Sequence, residues 1–198
     1  MRTISRLCVS LSIWVAAGLA SVSAADPLCV MTYNIRVPMD KTPYTWPERR
    51  EAVVDVIRKV KPDLLGTQEG VSVQLKDLSE DLDDYAWIGH GRKNATGDEY
   101  CALFYRKDRI EPIEYGHFWL SDTPEKIGSV TWDHTLPRMV TWMHYRDRET
   151  KQEAYCFNTH FDHSNQPARE KSAKLVLERV RGWKNDLPVI LMGDVNAV

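Results

Sequence analysis

Acids and amides follow the strand-like runs of this sequence, at the points where those runs end. Asn34 follows a run that begins at Leu28, and Glu69 closes a short apolar run. Asp194 and Asn196 stand two residues apart, just after another run. Carboxylate and amide oxygens suit Mg²⁺, Mn²⁺ or Ca²⁺ better than Zn²⁺, which favours histidine and cysteine. Such a set can hold a hard cation, a water molecule and phosphate oxygens, which is the chemistry of phosphoryl hydrolysis.

A second group of polar residues alternates along the chain. Asn158, His160 and Asp162 follow an apolar run, and in an extended chain all three would point to one side. Each of these residues also has an ordinary interpretation on its own. Acids and amides at strand ends are commonly solvated or belong to turns, and a histidine there is commonly a hydrogen-bonded edge residue. Only the joint pattern indicates a catalytic site.

Strands and helices must position these groups, and their periodicity can be read from the sequence. Apolar residues at helical spacing predict helices over Thr45–Val60, with Pro47 near the start, Val71–Glu80 and Gln166–Arg181. The predicted strands are Leu28–Val37, Leu64–Glu69, Tyr85–His90, Tyr100–Tyr105, Ile113–Leu120, Met139–Tyr145, Glu153–Asn158 and Leu187–Met192. This pattern predicts one mixed α/β domain with mostly antiparallel sheets.

Composition excludes several classes of protein. With 43% hydrophobic and 27% charged residues, the 198-residue chain is not disordered, collagen-like or a multi-span membrane protein. A net charge of −2 argues against a strongly basic, whole-surface nucleic-acid binder. The basic loop Arg92–Asn94 could still form a local rim for nucleic acid, although a solvated hairpin tip is the simpler interpretation.

The N-terminus has the pattern of a secretory signal peptide. Arg2 and Arg6 precede the apolar stretch Leu7–Ala20, and small residues lead to a cleavage point after Ala24. We therefore expect residues 1–24 to be removed and residues 25–198 to form a secreted or periplasmic domain that is not an integral membrane protein. The alternative is an uncleaved N-terminal anchor.

Four motifs occur in a characteristic order. They are Met31–Arg36 (MTYNIR), Gly66–Glu69 (GTQE), Phe157–His163 (FNTHFDH) and Gly193–Ala197 (GDVNA). Together they resemble the endonuclease/exonuclease/phosphatase superfamily, which has the DNase I-like fold, and the third resembles a secreted bacterial branch of it. The resemblance implies a four-layer α/β/β/α sandwich of two mostly antiparallel sheets, with the active site at one edge.

The resemblance also implies roles for five residues. Glu69 would be the principal metal ligand, with Asn34 beside it. His160 would donate a hydrogen bond to the scissile phosphate. Asp194 would orient or deprotonate the attacking water, and Asn196 would hold that water or a phosphate oxygen.

Two arginines are candidates for neutralising the substrate phosphate. Arg106 ends a predicted strand, and Arg138 follows Pro137. For both, an exposed surface arginine is the alternative interpretation. Asp162 and His163 are expected at the rim of the site or behind it, rather than among the catalytic groups.

The implied activity is hydrolysis of phosphate esters or phosphodiesters with Mg²⁺, or with Mn²⁺ or Ca²⁺. The phosphorylated substrate stays open between nucleic acid, phospholipid and small phosphoesters, and no stable protein partner is evident. The resemblance implies further strands after Asn196 and an Asp that pairs with a terminal His. This sequence departs from that pattern, because no Asp follows Asp194 and no His follows His163. We therefore expect a domain that lacks its last strands and its final Asp-His pair, and is itself inactive. The rival interpretation is a non-catalytic secreted binding module on the same scaffold.

Overall fold

A computed structural model describes residues 26–94, 97–183 and 186–197, so the predicted signal peptide lies outside the described residues. The described residues form three helices and eight strands. The helices are α1 (Trp46–Val60), α2 (Ser72–Asp81) and α3 (Gln166–Gly182). The strands are β1 (Val30–Asn34), β2 (Leu64–Gln68), β3 (Tyr85–Ile88), β4 (Ala102–Arg106), β5 (Ile110–Trp119), β6 (Met139–Asp147), β7 (Glu153–His160) and β8 (Val189–Asp194).

The strands form two four-stranded sheets. The N-terminal sheet has the order β1-β2-β4-β3, and the C-terminal sheet has the order β5-β6-β7-β8. Only β1 with β2 and β7 with β8 pair in parallel, and the other neighbours are antiparallel. In the parallel pairs Asn34 lies opposite Gln68, and His160 lies opposite Asp194. The carboxyl ends of β1 and β2 therefore meet at one edge, as do those of β7 and β8.

Alternation along the strands sorts the apolar side chains into layers. On β4, Phe104 faces the helices and packs with Ile57 of α1 and Leu78 of α2. Leu103 of the same strand faces the other sheet, where it packs with Met143. Val176 of α3 covers the outer face of the C-terminal sheet. The prediction of a four-layer α/β/β/α sandwich is confirmed.

The helices begin and end where the sequence signals indicate. The carboxylate of Glu48 accepts a hydrogen bond from the backbone N–H of Thr45 (2.9 Å), which caps α1, and Pro47 lies in its first turn. Asn165 caps α3 by accepting a hydrogen bond from the N–H of Ala168 (3.0 Å). None of the helices formed by the described residues is long and apolar enough to cross a membrane.

A buried amide joins the two sheets just below the edge where the strands end. The Asn158 side chain donates to the carbonyls of Thr67 and Ala102, both at 2.8 Å, and accepts from Gln68 at 2.6 Å. Gly66 makes room for it, because an added Cβ would lie 2.8 Å from the Asn158 side chain. Asn158 belongs to β7 of the C-terminal sheet, and its three hydrogen-bond partners all belong to β2 and β4 of the N-terminal sheet, so the amide fixes the two sheets relative to each other beneath the polar residues.

Strand β8 is an edge of the C-terminal sheet. It pairs with β7 on one side, and no described strand pairs with its other side. Val189 and Leu191 of this strand are 39% and 52% exposed. An apolar groove therefore runs between β8 and α3 on the described surface.

Candidate active site

Three predicted site residues meet where the two sheets end side by side. The Asn34 Nδ2 donates a hydrogen bond to Oε1 of Glu69 (2.8 Å) and another to Oδ2 of Asp194 (3.0 Å). Asn34 ends β1, Glu69 follows β2, and Asp194 ends β8. One amide thus links two carboxylates from different sheets, although the three residues are far apart in sequence.

The backbone around these residues is strained. Arg36 (φ 59°), Glu69 (φ 63°) and Asn196 (φ 48°) are in the left-handed region that non-glycine residues seldom adopt. Such conformations cost on the order of 1 kcal/mol each and cluster at functional sites. Gly193 has a φ of 149°, and a Cβ there would lie 2.3 Å from the carbonyl oxygen of Thr159. The glycine before Asp194 is therefore required by close packing against β7.

His160 is buried beside Asp194. Its Nε2 lies 3.8 Å from Oδ2 of Asp194, which is too long for a hydrogen bond. Burial, reinforced by the positive charge of Arg138, lowers the pKa of His160 to about 4, against the opposing effect of Asp194 and Glu69. His160 is therefore neutral at neutral pH and able to donate a hydrogen bond from one ring nitrogen.

Asp194, which lies beside the neutral His160, is ionised. Partial burial opposes its ionisation, but hydrogen bonds from Asn34 and from the backbone N–H of Asn196 (3.1 Å) lower the pKa of Asp194. The Asn196 side chain donates from Nδ2 to the carbonyl of Phe161 (3.0 Å). Its amide oxygen is thus the atom left to contact a water molecule.

The oxygen donors at this edge fit a hard cation that keeps part of its water shell. Glu69 and Asp194 supply carboxylates, and Asn34 supplies an amide held by the backbone N–H of Arg36 (2.9 Å). Within residues 26–94, 97–183 and 186–197, no group of three or more His, Cys, Asp or Glu side chains could enclose a metal. Mg²⁺ is commonly held by one or two carboxylates and several waters, so the donor set suits it better than Zn²⁺.

Arg138 lies in the wall of the site. It is 3% exposed and lines a small cavity together with Glu69 and His160. Burial and the nearby charge of Arg92 lower the pKa of Arg138, although a guanidinium stays protonated. No described residue forms a hydrogen bond with its buried Nε. The Nε lies on the side of Asp162, at 3.8 Å from its Oδ2, while the guanidinium as a whole lies beside Glu69 and His160.

Arg106, predicted as a candidate for contacting the substrate phosphate, lies away from the other candidate residues. Arg106 pairs with Asp63 (3.2 Å) just before β2 begins, whereas Glu69 lies just after β2 ends. Since β4 runs antiparallel to β2, with Tyr105 opposite Leu64, the last residue of β4 lies at the far edge of the sheet. Arg106 does end a strand, as predicted, but it lies at the edge of the sheet opposite to the edge where Glu69 lies.

The sequence interpretation of the basic loop also needs correction. Arg92 is only 8% exposed and forms an ion pair with Glu99, so it is not a solvated hairpin tip. Burial raises the pKa of Glu99, against the effect of Arg92. Both line the cavity that holds Arg138. The sequence signal that could have predicted this ion pair is the pair of opposite charges, Arg92 and Glu99, which flank the loop seven residues apart.

An open cleft of about 570 Å³ lies over the strand ends. Asn34, Asp194 and Asn196 line it, and so do His163, which precedes α3, and Arg169 in the first turn of α3. The lining thus combines the carboxylate of Asp194 with amides and two basic side chains, in a volume that can hold a phosphate and part of the group that it esterifies.

This arrangement matches known proteins in sequence and in fold. The sequence profile of the Endonuclease/Exonuclease/phosphatase family matches residues 31–198. A Bacteroides thetaiotaomicron protein of that family is 38% identical, with a TM-score of 0.81, and the match covers 85% of this chain and 63% of that one. A mannosyl-6-phosphatase from the same species is also 38% identical, with a TM-score of 0.81 and coverage of 86% and 66%.

A more distant relative is found among curated sequences. An uncharacterized protein of Acanthamoeba polyphaga mimivirus is 25% identical over 162 residues, which are 77% of this chain and 60% of the viral protein. The chain therefore spans about two thirds of the length of the two Bacteroides structures and a little less of the viral protein. Since the profile match extends over nearly all of the described residues, the chain belongs to the endonuclease/exonuclease/phosphatase family.

Proposed function

We propose that this protein hydrolyses phosphate esters at the edge where β1, β2, β7 and β8 end. The observation that carries the proposal is the Asn34 amide held between the Glu69 and Asp194 carboxylates, with a neutral His160 beside them. The left-handed backbone at Glu69 and Asn196 supports it, because the fold maintains costly conformations at these two positions.

Each residue has a task that its surroundings favour. Asp194, kept ionised by its hydrogen bonds, orients the attacking water and accepts its proton as the water oxygen bonds to phosphorus. Neutral His160 donates a hydrogen bond to a phosphate oxygen, and Arg138 offsets the negative charge that develops there. The amide oxygen of Asn196 holds the water opposite the leaving oxygen. The bond from phosphorus to that oxygen breaks with its electron pair, and the oxygen takes a proton from solvent as the alcohol leaves.

A divalent cation completes the proposed site. Glu69 and Asn34 would hold it, with Asp194 close enough to contribute through water. When bound, Mg²⁺ or a similar cation neutralises charge on the phosphate and the leaving oxygen. The Asn34 amide would then lie between the cation and the carboxylates of Glu69 and Asp194. A neutral amide can donate to both carboxylates, whereas a third acid at this position would repel them.

We further propose that the substrate is a phosphate monoester of a small polyol such as a sugar. The support is the mannosyl-6-phosphatase, which is 38% identical to this chain. The net charge of −2 is consistent with this, because a nuclease gains affinity mainly by neutralising many backbone phosphates.

Hydrolysis assays test both proposals. We expect the protein, produced from its whole gene and purified, to hydrolyse p-nitrophenyl phosphate with Mg²⁺ faster than bis-p-nitrophenyl phosphate, and EDTA to abolish turnover. Mannose 6-phosphate and a DNA duplex serve as natural monoester and diester substrates. Faster cleavage of the diesters would refute the monoester proposal alone. If none of these substrates is cleaved with Mg²⁺, Mn²⁺ or Ca²⁺, hydrolysis is refuted and the non-catalytic binding module becomes the better explanation.

A further inference from the structure

Behind the cleft, a buried carboxylate begins a chain of contacts that leads to the cleft surface. Asp162 has no exposed surface, and its Oδ1 accepts hydrogen bonds from the backbone N–H of Ser164 (2.9 Å) and Asn165 (2.8 Å). Although burial opposes ionisation, these N–H groups and His134 lower the pKa of Asp162 far below its usual range. Asp162 is therefore a fixed anion.

Arg138 is the second member of this chain. Its Nε lies 3.8 Å from Oδ2 of Asp162, and its Nη2 lies 3.0 Å from Nδ1 of His163. A guanidinium has no acceptor, so the Nδ1 of His163 must supply the lone pair. The geometry therefore assigns Nδ1 of His163 as the acceptor and Nε2 as the ring nitrogen that bears the hydrogen.

His163 is the last member, and it reaches the cleft. The residue is exposed and lines the cleft with Asn34, Asp194 and Asn196. Among the residues that the structure describes, none forms a hydrogen bond with its Nε2. An N–H donor whose tautomer is set by a buried cation therefore faces the place where the phosphate is proposed to bind.

We propose that His163 is a substrate-binding residue, which donates a hydrogen bond from Nε2 to an oxygen of the bound phosphate. Arg138 and Asp162 act on it as positioning residues, because they hold the ring in one tautomer. The inference rests on the proposed function, since it places the phosphate in the cleft beside Asp194. It goes beyond the sequence interpretation, which kept His163 out of the group that contacts substrate.

Two substitutions separate a substrate contact from a structural role. His163→Asn keeps an oxygen that can accept from Arg138 but removes the outward donor. His163→Gln keeps a donor near the position of Nε2. We expect His163→Asn to raise KM for p-nitrophenyl phosphate about tenfold with kcat nearly unchanged, because a hydrogen bond to a charged group is lost. We expect His163→Gln to stay close to the parent protein.

The control is His144→Gln, which alters a hydrogen-bonded histidine near the hairpin between β6 and β7, away from the cleft. It should leave KM unchanged. Equal KM values for His163→Asn and the parent protein would overturn the proposal. A loss of kcat shared by the Asn and Gln variants, with KM unchanged in both, would also overturn it, because Gln keeps the outward donor and should then behave like the parent protein.

Binding of inorganic phosphate, measured by calorimetry with Mg²⁺ present, separates this inference from the hydrolysis proposal. If the parent protein binds phosphate about tenfold more tightly than His163→Asn but cleaves no substrate, the inference stands and the hydrolysis proposal fails. If the parent protein cleaves substrate and both variants bind phosphate as it does, the inference alone fails. If the parent protein neither binds phosphate nor cleaves substrate, both are refuted.

Discussion

The two ends of the sandwich arrange their charged side chains differently. At the far end, Arg109 is 8% exposed and its guanidinium lies 3.2 Å from Asp147, 3.2 Å from Glu149 and 3.8 Å from Asp63. Burial opposes ionisation of Asp147, yet the hydrogen bonds from Arg109 lower its pKa. Each buried carboxylate at this end therefore faces a guanidinium, as a stable buried ion pair requires.

At the cleft end Arg92 pairs with Glu99 and Arg138 lies beside Asp162, but the carboxylates of Glu69 and Asp194 have no arginine or lysine partner among the described residues. Glu69 and Asp194 face the neutral amide of Asn34, and Arg138 has a buried Nε that no described residue bonds. His160 and His117 are held neutral by burial rather than paired with an acid by a hydrogen bond. The end where we propose catalysis is therefore distinguished by two carboxylates that share a neutral amide, whereas the buried carboxylates of the far end face guanidinium groups.

Glu69→Gln gives the sharpest test of that difference and the largest expected effect. The substitution keeps the shape of the side chain but removes an anion that the proposed cation would require. We expect a loss of turnover of about 10³-fold or more. The free energy of unfolding should fall by only about 1 kcal/mol, because Gln keeps one of the two hydrogen bonds that Glu69 accepts, from Asn34 and from the backbone N–H of Val37 (3.2 Å).

Calorimetry of Mg²⁺ binding is the matching measurement for Glu69→Gln. Weaker Mg²⁺ binding is expected together with the loss of turnover. Unchanged Mg²⁺ affinity would show that Glu69 is not a metal ligand, and the comparison between the two ends would lose its main support.

Asp194→Asn should have the next largest effect. The change is nearly isosteric, and Asn196 can still donate its backbone N–H to the side chain. Loss of the group that orients and deprotonates water should lower kcat by about 10²-fold. Steady-state kinetics and a melting curve check this result. A variant with the parent kcat would show that Asp194 is only a turn residue.

Much of the site could be predicted because its residues are strand-end residues with a local signal. Asn34, Glu69, His160 and Asp194 follow apolar runs, and the structure brings all four to one edge. The helices were predictable for a similar reason, since periodic apolar residues and caps lie close together in sequence. Helix α1 begins one residue after the predicted start, and α3 ends one residue beyond the predicted end.

The arginines could not be assigned from local signals. Arg106 and Arg138 both lie beside strands, and only the order and direction of strands decide which edge each one reaches. Arg138 comes just before β6, which leads it to the cleft, whereas Arg106 ends β4 at the opposite edge. The burial of Arg92 depends in the same way on packing between distant segments, because Trp119 donates to its carbonyl (2.7 Å).

The pH dependence of stability offers a third test, because mild acid should destabilise the cleft end of the sandwich before the far end. Burial, followed by the nearby His90, lowers the pKa of His117 from 6.5 to about 4. Because His117 binds a proton more readily in the unfolded state, its burial contributes stability that is fully present above pH 6.5. This contribution is lost as the pH falls from 6.5 through about 4. The shift corresponds to at most about 3 kcal/mol, and partial exposure reduces it.

Chemical denaturation between pH 4 and pH 6.5 measures this loss for the parent protein and for His117→Gln. The substitution should flatten the decline, since Gln has no proton to gain and can still bond to Thr141. An identical decline in both proteins would mean that the histidines at the cleft end do not control acid sensitivity. The carboxylates at the far end would then be the first groups to fail.

Arg106→Gln should have the smallest effect, and it tests the far end directly. Arg106 is one-third exposed, and Asp63 would keep its contact with Arg109 (3.8 Å) and the hydrogen bond from the backbone N–H of Cys29 (2.8 Å). Because a second cation and a backbone donor remain, the free energy of unfolding should fall by about 1 kcal/mol or less. The kcat and KM should match those of the parent protein, because the side chain lies a full strand length from Glu69. A tenfold loss of activity without loss of stability would mean that the far end contributes to substrate binding, and the division of the molecule into a structural end, whose buried carboxylates face guanidinium groups, and a functional end, whose two carboxylates share a neutral amide, would be wrong.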